Sequence, residues 1–259
     1  MIELAATEYP AVEETEAPPL VIAHGIFGSA RNWRAIAKRL AAKRRVLVVD
    51  MRNHGDSPWA DAHDYLAMAG DLAGVIERNG GRASVLGHSM GGKAAMVLAE
   101  TRPELVERLI VADIAPVPYA HTRDLMVEIE AMRAVDLGPL ARRAEVEAAL
   151  GVYIGSVPVR SFLAQSAILG DTPRWSINLD ALSANIKAIS GYPDIGGVYE
   201  GPVLMLHGED SDYVLPKHHA EILARFPAAE FQALEGAGHW IHADQPRAFL
   251  NAVLDFIAR

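Results

Sequence analysis

Val85-Leu86-Gly87-His88-Ser89-Met90-Gly91-Gly92 is the stretch from which the fold of this chain is read. The apolar run Ala83-Ser84-Val85-Leu86 leads into it, and a helical pattern from Met90 to Thr101 leads out. Gly87 to Gly91 fits G-x-S-x-G, and a strand–turn–helix setting is what that motif requires. A serine in so tight a turn projects its Oγ above the edge of the sheet. The flanking positions must be small because the strand and helix backbones approach closely, and Gly87 and Gly91 meet that need. The helix N-terminus behind Ser89 offers free N–H groups and a positive dipole end to a developing oxyanion. The same segment, continued to Lys93, also fits the phosphate-loop pattern G-x-x-x-x-G-K. Ala94 stands where that loop needs a serine or threonine for magnesium, so nucleotide binding is a remote alternative. Lys93 then reads as a cation on the helix surface, or more weakly as a contact to an acidic acyl or CoA group.

Outward from this turn, short continuous apolar runs alternate with helical patterns. Leu20–Ala23, Arg45–Val49 and Leu109–Ala112 are continuous rather than alternating, as expected for strands covered on both faces. Between them lie a helix that Ser29 could cap, running to Ala42, and another from about Asp64 to Asn79. Strand, helix, strand in succession predicts a mostly parallel α/β sheet with right-handed crossovers. The rhythm stops after Pro116. From Tyr119 to Tyr199 the sequence reads as helical with no convincing strand, and it resumes at Pro202–Leu206, Glu230–Leu234 and a last helix through Ile257. The chain is therefore divided into an α/β core, residues 1–116 and 201–259, and a helical cap, residues 117–200. Apolar faces around Leu125, Ile129, Phe162 and Trp175, with Phe27 from below, are expected to roof a substrate pocket.

Composition excludes several functions. The chain has 259 residues, no cysteine and a net charge of −9. Without cysteine there is no disulfide framework, thiolate metal site or cysteine nucleophile. The acidic balance lacks the footprint of a nucleic-acid binder. The first 20 residues hold five glutamates and no lysine or arginine, the wrong charge for a targeting peptide. No apolar run reaches the roughly 18 residues of a membrane span. A cytoplasmic location is expected; oligomeric state is not legible.

A serine hydroxyl needs a base. His239, in Gly236-Ala237-Gly238-His239-Trp240 after the last strand, is the expected one. His54, His63, His121, His218 and His219 read as satisfied surface or helix-capping residues, His88 as packing beneath the turn, and His242 stays open. The base needs a carboxylate to orient it. Asp113 at the end of Leu109–Ala112, and Asp210 or Asp212 after the later strand, all satisfy the order serine, acid, histidine. The N–H groups of Met90 and Ile26, or less favourably Phe27, are the expected oxyanion donors. His239-x-x-His242-x-Asp244 hints at a metal site, but no second cluster and no H-E-x-x-H support it, so neither metal nor cofactor is expected.

These motifs together resemble the α/β-hydrolase superfamily over essentially the whole chain. HGIFGSARNW, DMRNHGDSPW, GHSMGGKAAM, DIAPVPY and AGHWIHADQP resemble the YbfF-like esterase branch, whose relatives include a mitochondrial abhydrolase-domain protein. The resemblance implies an α/β-hydrolase fold with an inserted cap, and a serine hydrolase of small-molecule carboxylic esters or thioesters, acyl-CoA among them. Other serine chemistry on the fold, such as C–C bond hydrolysis, lactonase or perhydrolase activity, stays as the alternative. The superfamily's usual acid position is Ser211 here. The branch carries a serine there too and uses the acid ending the preceding strand, which implies Asp113, with Ser211 as an auxiliary group near His239. An imidazole base must be neutral, so activity is expected to decline below about pH 6 to 7.

Overall fold

The computed structural model describes residues 1–120 and 122–259; His121 lies outside them. In chain order the elements are β1 (Ala6–Tyr9), β2 (Leu20–Ala23), α1 (Arg34–Leu40), β3 (Val46–Val49), α2 (Tyr65–Arg78), β4 (Ala83–His88), α3 (Met90–Thr101) and β5 (Val106–Ala112). An insertion follows with α4 (Thr122–Ala134), α5 (Arg143–Leu150), α6 (Val157–Ala164), β6 (Ala167–Ile168), β7 (Arg174–Trp175), α7 (Leu179–Ala184) and α8 (Ile186–Ser190). The chain closes with β8 (Val203–Gly208), α9 (His219–Arg225), β9 (Ala229–Leu234), α10 (Ile241–Asp244) and α11 (Pro246–Ile257).

Seven strands form one sheet in the order β1-β3-β2-β4-β5-β8-β9. All neighbours are parallel except β1, which runs antiparallel to β3 at the edge. β2, β3 and β4 are buried throughout, because helices cover both faces. On one face α2 and α3 pack Met68, Leu72, Ile76, Met96 and Val97 against Val21, Val85 and Leu109. On the other, α1, the 3-10 turn before it and α11 pack Leu40, Trp33, Phe249 and Val253 against Ile22, Val48 and Ile110. From β2 the chain goes to β3 on one side and then to β4 on the other. The sheet therefore opens a crevice at the carboxyl ends of β2 and β4, the usual place for a ligand in such folds.

The insertion has a hydrophobic core of its own. Ile129, Met132, Val146, Leu150, Leu163 and Leu182 pack there with Phe27, which reaches up from the loop after β2. Local differences from the sequence reading have simple causes. The segment after Ser29 starts as a 3-10 turn, Ala30–Trp33, and the α-helix ends at Leu40. Within the stretch read as helical, the run across Leu182 and Ile189 breaks at Asn185, whose side chain donates to Asp61 O at 2.8 Å and to Ala181 O at 2.8 Å. The two-residue hairpin β6–β7 falls in a stretch read as free of strands; two residues carry no periodicity. The edge strand β1 is mostly exposed and lacks an apolar pattern.

Candidate active site

Strand register gathers the residues that matter. Ala23 pairs with Gly87, His88 with Ala112, and Ala112 with Leu206. The loops leaving these four strands carry Ile26, Ser89, Asp113 and Ser211. Three of the four non-glycine residues with left-handed φ among the described residues sit there, at Phe27 (61°), Ser89 (52°) and Asp113 (54°). Each such conformation costs about 1 to 3 kcal/mol and persists only where surrounding structure imposes it.

At the turn after β4, a Cβ added to Gly87 would lie 2.2 Å from Gly91 O, and one on Gly91 would lie 2.4 Å from Ala23 O. Both contacts are with backbone, so any side chain would push strand and helix apart. Ser89 is half-buried and lines a cavity of about 280 Å³ together with His239. Among the described residues no hydrogen bond to its hydroxyl is found. Such bonds are often long before substrate binds.

His239 Nδ1–H donates to Asp113 Oδ2 at 2.7 Å. Asp113 is fully buried, and its other oxygen accepts the Gly208 N–H at 3.0 Å. Ser211 Oγ donates to Asp113 Oδ2 at 2.5 Å. Asp212 is exposed, and no hydrogen bond joins Asp210 or Asp212 to His239. The Tyr213 ring stacks on the His239 imidazole at 4.0 Å and 21°. Sequence reasoning missed this tyrosine, whose one signal is its place two residues after Ser211. His88 is buried beneath the turn, where its Nε2–H donates to the His239 carbonyl at 2.9 Å.

The loop after β2 rests on buried histidines. His24 Nδ1–H donates to Gly25 O at 2.7 Å while its Nε2 accepts the Met51 N–H at 2.9 Å. His54 Nδ1–H donates to Arg52 O at 2.9 Å, and its Nε2 accepts the Phe27 N–H at 3.2 Å. Burial pushes His24 down to about 4 and His54 down to about 3, which keeps both neutral and able to accept. His54 and His63 are thus not surface or capping residues: both are wholly buried. The Phe27 N–H is taken. No partner for the Ile26 N–H is found among the described residues. Met90, first in α3, keeps its N–H outside the helical ladder. Phe27 itself lines the cavity and joins the insertion's core.

Two further expectations need correction. Lys93 is not a surface cation: it is 2% exposed. Its ammonium donates to Val117 O (2.9 Å), Ser190 O (3.3 Å) and Gly191 O (2.5 Å), all in the insertion. Tyr119 offers its ring face to the ammonium at 4.7 Å. Burial pushes this amine down to about 7, while the carbonyls favour its charged form. With its donors engaged there, Lys93 is not turned to a phosphate in the loop before it. Leu125 and Phe162 line the cavity, but Ile129 is buried in the insertion's core and Trp175 faces a separate surface groove. His242 lines the cavity and stacks on Trp33 at 4.2 Å, leaving its Nδ1 without a hydrogen bond. No group of three or more histidine, aspartate or glutamate side chains able to hold a metal is found among the described residues. No described helix is long and apolar enough to cross a membrane.

Comparison with known proteins agrees with this fold. Residues 20–252 match the Alpha/beta hydrolase family. The chain is 41% identical to sn-1-specific diacylglycerol lipase ABHD11 of Mus musculus, covering 93% of this chain and 81% of that protein. It is 35% identical to esterase YbfF of Escherichia coli K12, covering 92% of each. A solved marine microorganism esterase superposes with a TM-score of 0.92 at 37% identity, covering 99% of this chain and all of that one. The chain belongs to the alpha/beta hydrolase family. It is a serine hydrolase of the esterase type.

Proposed function

We propose that this hydrolase cleaves carboxylic esters, and thioesters by the same route, through an acyl-serine intermediate. Ser89 Oγ attacks the acyl carbonyl while His239 Nε2 takes its proton. Asp113 holds the ring by its Nδ1–H and stabilises the imidazolium that forms. The N–H groups of Ile26 and Met90 receive the oxyanion. His239 then protonates the departing alcohol or thiol and activates the water that deacylates Ser89. Residues 117–200 act as a cap, with Leu125, Phe162 and Phe27 along the acyl chain. The observation that carries this reading is the 2.7 Å bond between His239 Nδ1 and buried Asp113, in one cavity with Ser89 on its strained turn. A cytoplasmic location goes with it, since a chain without cysteine needs no oxidising compartment; cell fractionation tests that.

The experiment is active-site labelling. A fluorophosphonate probe should modify Ser89, and Ser89→Ala should abolish both labelling and hydrolysis of aryl esters and acyl-CoAs. Labelling at another residue, or full turnover in Ser89→Ala, would refute the mechanism. Turnover of aryl esters with none of acyl-CoAs would confine the substrate class to oxygen esters.

A further inference from the structure

Among the ionisable groups that line the cavity without a part in the reaction above, one is a carboxyl. Glu128 lies on α4, half-buried, and lines the same cavity as Ser89 and His239. Leu125, one turn earlier on the same face, lines it too. Among the described residues Glu128 has no hydrogen-bond or ion-pair partner. An unpaired carboxylate beside apolar walls is costly, and a ligand that donates to it removes that cost. Among the described residues, the charged or titratable groups around it do not neutralise it. Asp124, one turn back on α4, repels it, and Tyr213 is near enough for the Glu128 charge to raise its phenol. Lys93 on α3 is engaged by three backbone carbonyls. His239 across the cavity is held by Asp113. Burial pushes the Glu128 carboxyl up to about 7, so it is partly ionised near neutral pH.

We propose that Glu128 selects the acyl group: it favours acyl chains that carry a hydroxyl or other hydrogen-bond donor, tolerates plain alkyl chains, and rejects chains that end in a carboxylate. Its place beside Leu125 puts it along the acyl chain, so this inference rests on the cavity serving as the acyl pocket of an ester hydrolase.

Three p-nitrophenyl esters test it: hexanoate, its ω-hydroxy analogue and its ω-carboxy analogue, compared as ratios of kcat/KM. The wild-type protein should prefer the hydroxy over the carboxy ester by at least about tenfold, the scale of one charge-assisted hydrogen bond against one like-charge contact. Glu128→Gln should shrink that ratio below about threefold, chiefly by admitting the carboxy ester. Glu128→Leu should shift preference from the hydroxy to the plain ester. In the wild type the hydroxy-to-carboxy ratio should rise from pH 6 to pH 8 as the carboxyl ionises, and Glu128→Gln should flatten that rise. The pH comparison needs only the isosteric variant, so a misfolded leucine variant does not spare the proposal. If the wild type turns over all three esters and no ratio moves in Glu128→Gln, Glu128 does not select substrate. If none of the three esters is turned over, the ester-hydrolase reading fails instead.

Discussion

Ser211 Oγ and His239 Nδ1 donate to the same oxygen of Asp113, at 2.5 and 2.7 Å. A carboxylate oxygen with two donors is fixed in place, and so is the ring it holds. Ser211→Ala should lower kcat by about 2- to 12-fold, the value of one net hydrogen bond, with KM little changed. Asp113→Asn should lower kcat by about 10³- to 10⁴-fold because the ring loses its tautomer. Asp212→Asn should stay within about twofold, as expected for an exposed acid. Steady-state kinetics on one aryl ester decide the matter, and a large loss in Asp212→Asn would reassign the acid.

His54 supports the loop that carries Ile26. Removing its Nε2 leaves the Phe27 N–H unpaired in a residue already at φ 61°. His54→Leu should reduce kcat by about 10- to 100-fold through a displaced oxyanion donor, and should cost about 1 to 3 kcal/mol of stability. His54→Gln, which can still accept, should recover part of kcat. Equal kcat in all three proteins would separate this loop from the reaction.

Acid should unfold the protein early. His24 and His242 are held down at about 4 and His54 at about 3, each by burial. Their folded values lie below the ordinary one, so the unfolded chain binds protons that the folded chain does not. Their contribution is fully present above about pH 6.5 and is lost as pH falls from there toward 4. For buried His24 the loss is about 2 kcal/mol at pH 5. Tm measured from pH 8 to pH 5 should be flat down to about 6.5 and then fall. A level Tm across the range would show that these rings are not neutral inside.

Lys93 ties α3 to the insertion. Lys93→Met leaves Val117 O and Gly191 O without this donor and should cost about 1 to 3 kcal/mol. Limited proteolysis should then cut within residues 113–202 faster than in the wild type. An unchanged digestion pattern and Tm would show that the clasp contributes nothing.

The turn around Ser89 was legible because its requirements are local. A serine between a strand and a helix needs small neighbours, and Gly87 and Gly91 record that need in five residues. The parallel sheet was legible for a similar reason: strands buried on both faces must be apolar without alternation. Long-range choices left no such mark. Asp113, Asp210 and Asp212 satisfy the same chain order. The difference between them arises only when β5 pairs with β8 and places the end of one strand beside the loop of the next. The fates of His54 and Lys93 were hidden likewise, because polar side chains announce exposure in a sequence, and burial among hydrogen-bond partners is supplied by segments far away. Glu128 looks like any solvated helix residue until α4 is laid over the carboxyl ends of the strands. Sequence alone determined which residues are able to react. Tertiary structure decided which of them meet, since Asp113 finds Ser211 and His239, and Lys93 finds Ser190 and Gly191, about a hundred positions or more away along the chain.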